Sequence, residues 1–138
     1  VSNFARADTD RCRHNLLYWR NHHWWGVGPG AHSHVAGRRW SNHTATSVWS
    51  SEVLGGRLPI AELDQPDAGA RQLERVMLGI RLREGLPTDA VDAAGTAAVP
   101  QLIDDGLLDA SAAELGRLVL TLRGRLLCDR VVRTLVGA

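Results

Sequence analysis

Residues 12–34, CRHNLLYWRNHHWWGVGPGAHSH, hold five of the chain's six histidines, three of its five tryptophans and its single tyrosine. Imidazole nitrogens ligate metals and exchange protons near neutral pH, and indole and phenol rings offer flat apolar surface. On a helix, His14 and Tyr18 stand four residues apart and share a face, with Asn15 and Trp19 one step round. That face presents a ligating nitrogen beside aromatic surface, which suits a planar apolar ligand with a metal at its centre. Histidine is an axial ligand of haem iron, and Arg11, Arg13, Arg20, Arg38 and Arg39 are cations that could meet propionates. No Asp or Glu lies between Asp10 and Glu52, which fits an anionic guest. The competing reading makes the aromatics core and leaves the histidines hydrogen-bonded or exposed. The residues alone leave both open.

Other chemistries fit less well. His32 and His34 would face the same way on a strand, with Cys12 as a further zinc donor, but Cys12 and His14 lie about 200° apart round a helix. The C-x-x-C-H pattern of covalent haem attachment is absent. Gly26-Val27-Gly28-Pro29-Gly30-Ala31 matches a loose dinucleotide pattern, G-x-G-x-x-A. Pro29 and Gly37 leave no helix behind it to meet a phosphate, so a tight turn is expected instead. His32 or Ser33 as base or nucleophile would need an acidic partner, and none is near in sequence.

The elements that must position these groups divide the 138 residues into two differently built halves. Residues 1–60 carry seven Arg against three acids, and residues 61–138 carry nine Arg against twelve. Every aromatic and every histidine precedes position 50. With 44% apolar and 22% charged residues the composition is that of a globular chain. No apolar run approaches the roughly 18–20 residues of a membrane span, and no signal peptide is visible, so a cytoplasmic location is expected. Cys12 and Cys128, far apart, encode no disulfide framework. Beginning on Val1 inside a strand-like stretch, Val1–Phe4, the sequence reads as an excised piece of a longer protein.

In residues 1–50 the pattern predicts a helix over 11–21, with Asp8-Thr9-Asp10 as cap candidates, then the glycine loop and a polar connector. Residues 51–67 read as a linker. Residues 68–138 predict a helix with Leu73, Val76, Met77 and Ile80 on one face, stopping at Gly85. Short helices over 88–94 and 96–105 come next, then a hairpin from Leu107-Leu108 and residues 117–122. A last helix over 125–136 places Leu127, Cys128, Val131 and Leu135 on one face. That order is winged-helix-like. The helix in the recognition position has no basic residue and ends in Asp104-Asp105, which would repel a polyanion, so no nucleic-acid partner is expected.

SNFARADTDRCRHNLLYWR, GVGPGAHSH, LERVMLGIRLREGL, LIDDGLLD and LVLTLRGRLLCDRVVRTL, in that order and spanning nearly the whole chain, carry a resemblance. Together they resemble the C-terminal part of radical-S-adenosylmethionine haem chaperones related to oxygen-independent coproporphyrinogen III oxidase. The resemblance implies an α+β, mainly α, fold: the tail of an incomplete α/β barrel followed by a winged-helix-like C-terminal domain. It implies that the full-length protein holds a [4Fe-4S] cluster and S-adenosylmethionine through a Cys-x3-Cys-x2-Cys motif that is absent from this sequence. The chaperone branch carries H-N-x-x-Y-W, matched by His14-Asn15-Leu16-Leu17-Tyr18-Trp19. His14 is then the axial ligand, Asn15 its orienter, and Tyr18 and Trp19 the packing surface. Haem and acceptor haem proteins are the implied partners, with peripheral membrane association of the full-length protein. One departure is His22-His23, where family members tend to carry Gly or Asp. The alternative within the same resemblance is the lid and C-terminal domain of a coproporphyrinogen III dehydrogenase. An isolated barrel strand would leave an unpaired edge and favour a homodimer.

Overall fold

The architecture is that of a computed structural model, which describes residues 5–137. The strand expected at Val1–Phe4 lies outside the described residues. Helix accounts for about 49% of the chain and the sheets are small and antiparallel, so the coarse class is α+β with helix dominant. The chain divides into two compact units, one of residues up to Asn21 together with those from Gly69 onward, the other His22–Ala68.

In the first unit a 3₁₀ turn, Asp8–Asp10, precedes α1, Arg13–Trp19. The helix expected over 11–21 is therefore shorter. Arg11 is extended (φ −63°, ψ 131°), and the cap position falls on Cys12, whose side chain makes no capping hydrogen bond. Asp8 and Asp10 close their own turn instead. Helix α3, Ala68–Gly79, ends before the expected Gly85, and its inner face is narrower than the pattern suggested. Val76 and Ile80 are fully buried, whereas Leu73 and Met77 are exposed.

Strand β4, Leu86–Pro87, and a 3₁₀ turn at Thr88–Ala90 replace the short helix expected over 88–94. Helix α4, Ala93–Asp104, begins earlier than expected because Asp92 caps it, accepting a 2.8 Å hydrogen bond from the Gly95 N–H. Pro100 lies inside α4, where it cannot donate to the carbonyl four residues back. The expected hairpin reduces to one bridge, Leu108 with Leu120, and β5, Arg117–Leu118, pairs with β4 instead. Its connection coils into α5, Ala110–Glu114, because Asp109 accepts from the Ala112 N–H at 2.9 Å. The last helix breaks at Leu127 (φ −111°, ψ 28°) into α6, Leu122–Leu126, and α7, Cys128–Val136. Leu118, Leu107, Leu102, Val131 and Leu135 close a core with Val76 and Ile80. Each such side chain contributes about 1.5–3 kcal/mol by leaving water.

The second unit is a three-stranded antiparallel sheet in the order β1 (His32–Val35), β2 (Arg38–Asn42), β3 (Ile60–Asp64), with α2, Thr46–Leu54, between β2 and β3. The stretch after the glycine loop, expected as a polar connector ending in Gly55-Gly56, thus forms a hairpin and α2. The stretch expected as a linker over 51–67 supplies the end of α2 and all of β3. The hairpin turns on Ala36-Gly37, both at positive φ (51° and 74°), the geometry of a two-residue turn between twisted strands. Its strands are rich in His, Arg and Ser rather than β-branched residues, so their pattern did not announce them.

Candidate functional site

Helix α1 is seven residues long, with no acid in its first turn and no base in its last. A helix this short does not hold itself together in water, so its contacts must fix it. Leu16, Leu17, Tyr18 and Trp19 are half-buried, and so is Asn15. Cys12, Arg13 and His14 are exposed. The His14 ring therefore faces solvent while its neighbours along the helix pack.

The structure brings His14 and Tyr18 together as their spacing predicted. The Tyr18 hydroxyl lies 3.2 Å from His14 Nε2. The two rings meet edge to face, their centroids 5.1 Å apart at 88°. Asn15 and Trp19 occupy the next position round α1. The motif thus presents one accessible imidazole, one aromatic edge beside it, and a hydroxyl already sharing a proton with the outer ring nitrogen. Such an imidazole fits the donor set of an axial iron ligand, provided Tyr18 gives way when Nε2 is used.

The arginines that the sequence offered to propionates are less free than it suggested. Arg20 Nη2 donates to Glu84 Oε1 at 2.7 Å, and Arg11 Nη2 lies 3.6 Å from the other carboxylate oxygen. The hydrogen bond from Arg20 holds the Glu84 carboxyl below its ordinary range, with the charges of Arg20 and Arg11 acting the same way against partial burial. Arg39 pairs with Asp64 across β2 and β3, its Nε 3.1 Å from Oδ2. Among the described residues, Arg13 and Arg38 carry no ion pair. Glu84 was missed by sequence reasoning because it lies far along the chain from Arg20, and no local pattern links the two.

The remaining histidines belong to the second unit, where His34 is buried, His43 half-buried, and His22, His23 and His32 exposed. His34 is buried, and its Nδ1 sits 3.2 Å from the His22 carbonyl, which can only accept, so Nδ1 carries the proton. Trp24 packs on His34 (4.8 Å between centroids) and bridges it through paired backbone hydrogen bonds of 2.9 Å. His32 is exposed on the opposite side of β1 from buried Ser33. Among the described residues no three His, Cys, Asp or Glu side chains form a group able to hold a metal ion. Trp40 is buried and meets Trp25 edge to face at 5.0 Å. The core reading holds for His34 and Trp40, and not for the exposed His22, His23, His32 and Trp25.

The glycine loop is a turn pinned to the sheet. The Gly26 N–H donates to Ser33 Oγ at 2.9 Å, and Asn42 Nδ2 donates to the Gly28 carbonyl at 2.9 Å. A Cβ on Gly26 would stand 2.2 Å from the His32 carbonyl oxygen, so the strand approaches too closely for any side chain. Strand β1 comes directly after the loop.

Over 137 residues, 99% of this chain, the sequence is 45% identical to a protein of Mycobacterium tuberculosis (strain ATCC 25618 / H37Rv) named heme chaperone HemW, of which the match covers 34%. This similarity supports a HemW-type fragment. A heme chaperone HemW of Bacillus subtilis (strain 168) is 26% identical over 99% of this chain and 37% of its own length. Over 62% of the chain it is also 34% identical to a Danio rerio protein named radical S-adenosyl methionine domain-containing protein 1, mitochondrial, covering 21% of that protein. The chain spans about a third of the length of the first curated relatives it matches. No family model matches it, and neither does any solved structure. No helix among the described residues is long and apolar enough to cross a membrane.

Proposed function

We propose that this chain is the haem-contacting C-terminal part of a haem chaperone, with haem as its cargo and acceptor haem proteins as its destination. The observation that carries the reading is the exposed His14 imidazole, set against Tyr18 on α1 inside the His14-Asn15-Leu16-Leu17-Tyr18-Trp19 motif. His14 supplies the axial nitrogen lone pair. Tyr18 and Trp19 offer ring surface to a flat macrocycle, and Asn15 orients the helix face. Arg13, next to His14 and without an ion pair, is the cation available to a propionate. The iron of a bound haem would accept the imidazole nitrogen, and exposure of that nitrogen suits a cargo that must leave again.

The full-length protein would carry the [4Fe-4S] cluster and S-adenosylmethionine in residues outside this chain, since Cys12 and Cys128 are its only thiols. The tail of an α/β barrel and the winged-helix-like domain remain part of this proposal. From α3 onward the order helix, strand, helix, helix, strand, helix, helix, with Leu108 bridged to Leu120, supports the second of these. Cytoplasmic residence, with peripheral membrane association during haem delivery, belongs to the same proposal.

Haem titration of the full-length protein tests the assignment. Wild type should develop a Soret band saturating at stoichiometric haem, and His14→Ala should weaken binding at least tenfold. An unchanged titration in His14→Ala would remove His14 from the site.

A further inference from the structure

We propose that Glu84 is the positioning residue of the His14 helix, tying the Arg11 lead-in and the Arg20 tail of α1 to one carboxylate. The inference rests on the haem reading of His14 and adds a residue that lies outside the H-N-x-x-Y-W motif. The two oxygens of Glu84 are divided between the two guanidinium groups, Oε1 with Arg20 at 2.7 Å and Oε2 with Arg11 at 3.6 Å. These arginines bracket His14 in sequence, so one side chain restrains both ends of the segment that carries it.

Restraint is needed because α1 lacks means of its own. It has seven residues and no capping side chain. The other ion pairs near this segment, Arg83 with Asp8 at 3.3 Å, Arg11 with Asp8 at 3.9 Å and Arg6 with Asp10 at 3.5 Å, each include a side chain at least 77% exposed and contribute little. At the Glu84 node the three side chains are 28%, 33% and 43% exposed, so water screens it less. Glu84 is itself held firmly. Arg117, on β5, donates from Nε and Nη2 to the Glu84 carbonyl at 3.0 and 2.7 Å, and from Nη2 to the Gly85 carbonyl at 2.8 Å. Next to Glu84, a Cβ on Gly85 would lie 2.2 Å from the Leu118 carbonyl oxygen, so the backbone is packed directly against β5. The carboxylate thus stands on a fixed floor and reaches up to the helix.

The charge balance agrees with this role. One negative charge shared between two guanidinium groups leaves the node positive, and Arg13 adds to it. The clamp fixes α1 without cancelling the attraction of the segment for a carboxylate-bearing cargo.

The test is haem binding by full-length Glu84→Ala and Glu84→Gln at 10 °C, with folding verified by circular dichroism. Both variants should fold and bind haem about three- to tenfold more weakly, the range of two partly shielded pairs. Their ferric haem spectra should shift toward that of His14→Ala. Glu84→Asp, which keeps the charge on a shorter arm, should recover part of the affinity. If Glu84→Ala does not fold, the near-isosteric Glu84→Gln decides. Wild-type affinity and spectrum in a folded Glu84→Gln would overturn the inference, as would an equal loss in all three variants without a spectral change. Loss of the haem reading has a different signature, in which His14→Ala itself binds as wild type.

Discussion

Replacing Tyr18 by Phe keeps the ring that packs beside His14 and removes only the hydroxyl. That hydroxyl lies 3.2 Å from His14 Nε2, at the long end for a hydrogen bond, and His14 is exposed to water that can replace it. A net intramolecular hydrogen bond contributes about 0.5–1.5 kcal/mol, and these two features place this one in the lower half, about 0.5–1 kcal/mol. Iron must displace the hydroxyl to use the same nitrogen. Tyr18→Phe should therefore raise haem affinity about two- to fivefold, since each 1.4 kcal/mol is about tenfold. The edge-to-face contact survives in the variant, so helix content should not change. The assay is a Soret titration of full-length wild type and Tyr18→Phe side by side, with His14→Ala as the floor. A folded Tyr18→Phe that binds haem more weakly than wild type would refute the competition argument and make the hydroxyl a direct haem contact.

Packing and charge lead to three further outcomes. Glu84 has a folded pKa below its unfolded one, chiefly through the Arg20 hydrogen bond, so its contribution is present above the unfolded value of about 4.3 and fades as pH falls through the folded value. Melting temperatures of wild type should thus drop more steeply below about pH 4.3 than those of Glu84→Gln, and parallel curves would contradict the linkage. Leu107→Ala, at a side chain with no exposed surface, should cost about 2–5 kcal/mol in urea unfolding. Asn42→Ala removes the donor to the Gly28 carbonyl at 2.9 Å and should cost about 1–2 kcal/mol. The loss should show as faster amide exchange in residues 26–30 while the first unit stays protected, and unchanged exchange there would mean that the loop holds without Asn42.

Much of the first unit was legible because its signals are local. Val76 and Ile80 recur at helical spacing, and Leu118 and Leu120 alternate into the core, whereas the caps Asp92 and Asp109 went unread. His14 and Tyr18 were paired by the 3.6-residue turn alone. Boundaries fared worse. The α3 helix stops at Gly79 and the last helix breaks at Leu127, where neighbouring chain and not propensity sets the end.

The sequence by itself determined the motif on α1, the helical character of the C-terminal half and the turn at Gly26–Gly30, because each depends on residues within about one or two turns of each other. Only the tertiary structure decided that the His-, Arg- and Ser-rich stretch from residue 31 to 64 is a sheet with a helix inserted, since strand partners such as Trp40 and Leu63 meet across the chain. It also decided that His34 is buried while His14, His22, His23 and His32 are exposed, and that Arg11 and Arg20 share Glu84. Burial and ion pairing between distant residues depend on where the chain returns, and no local spacing encodes that.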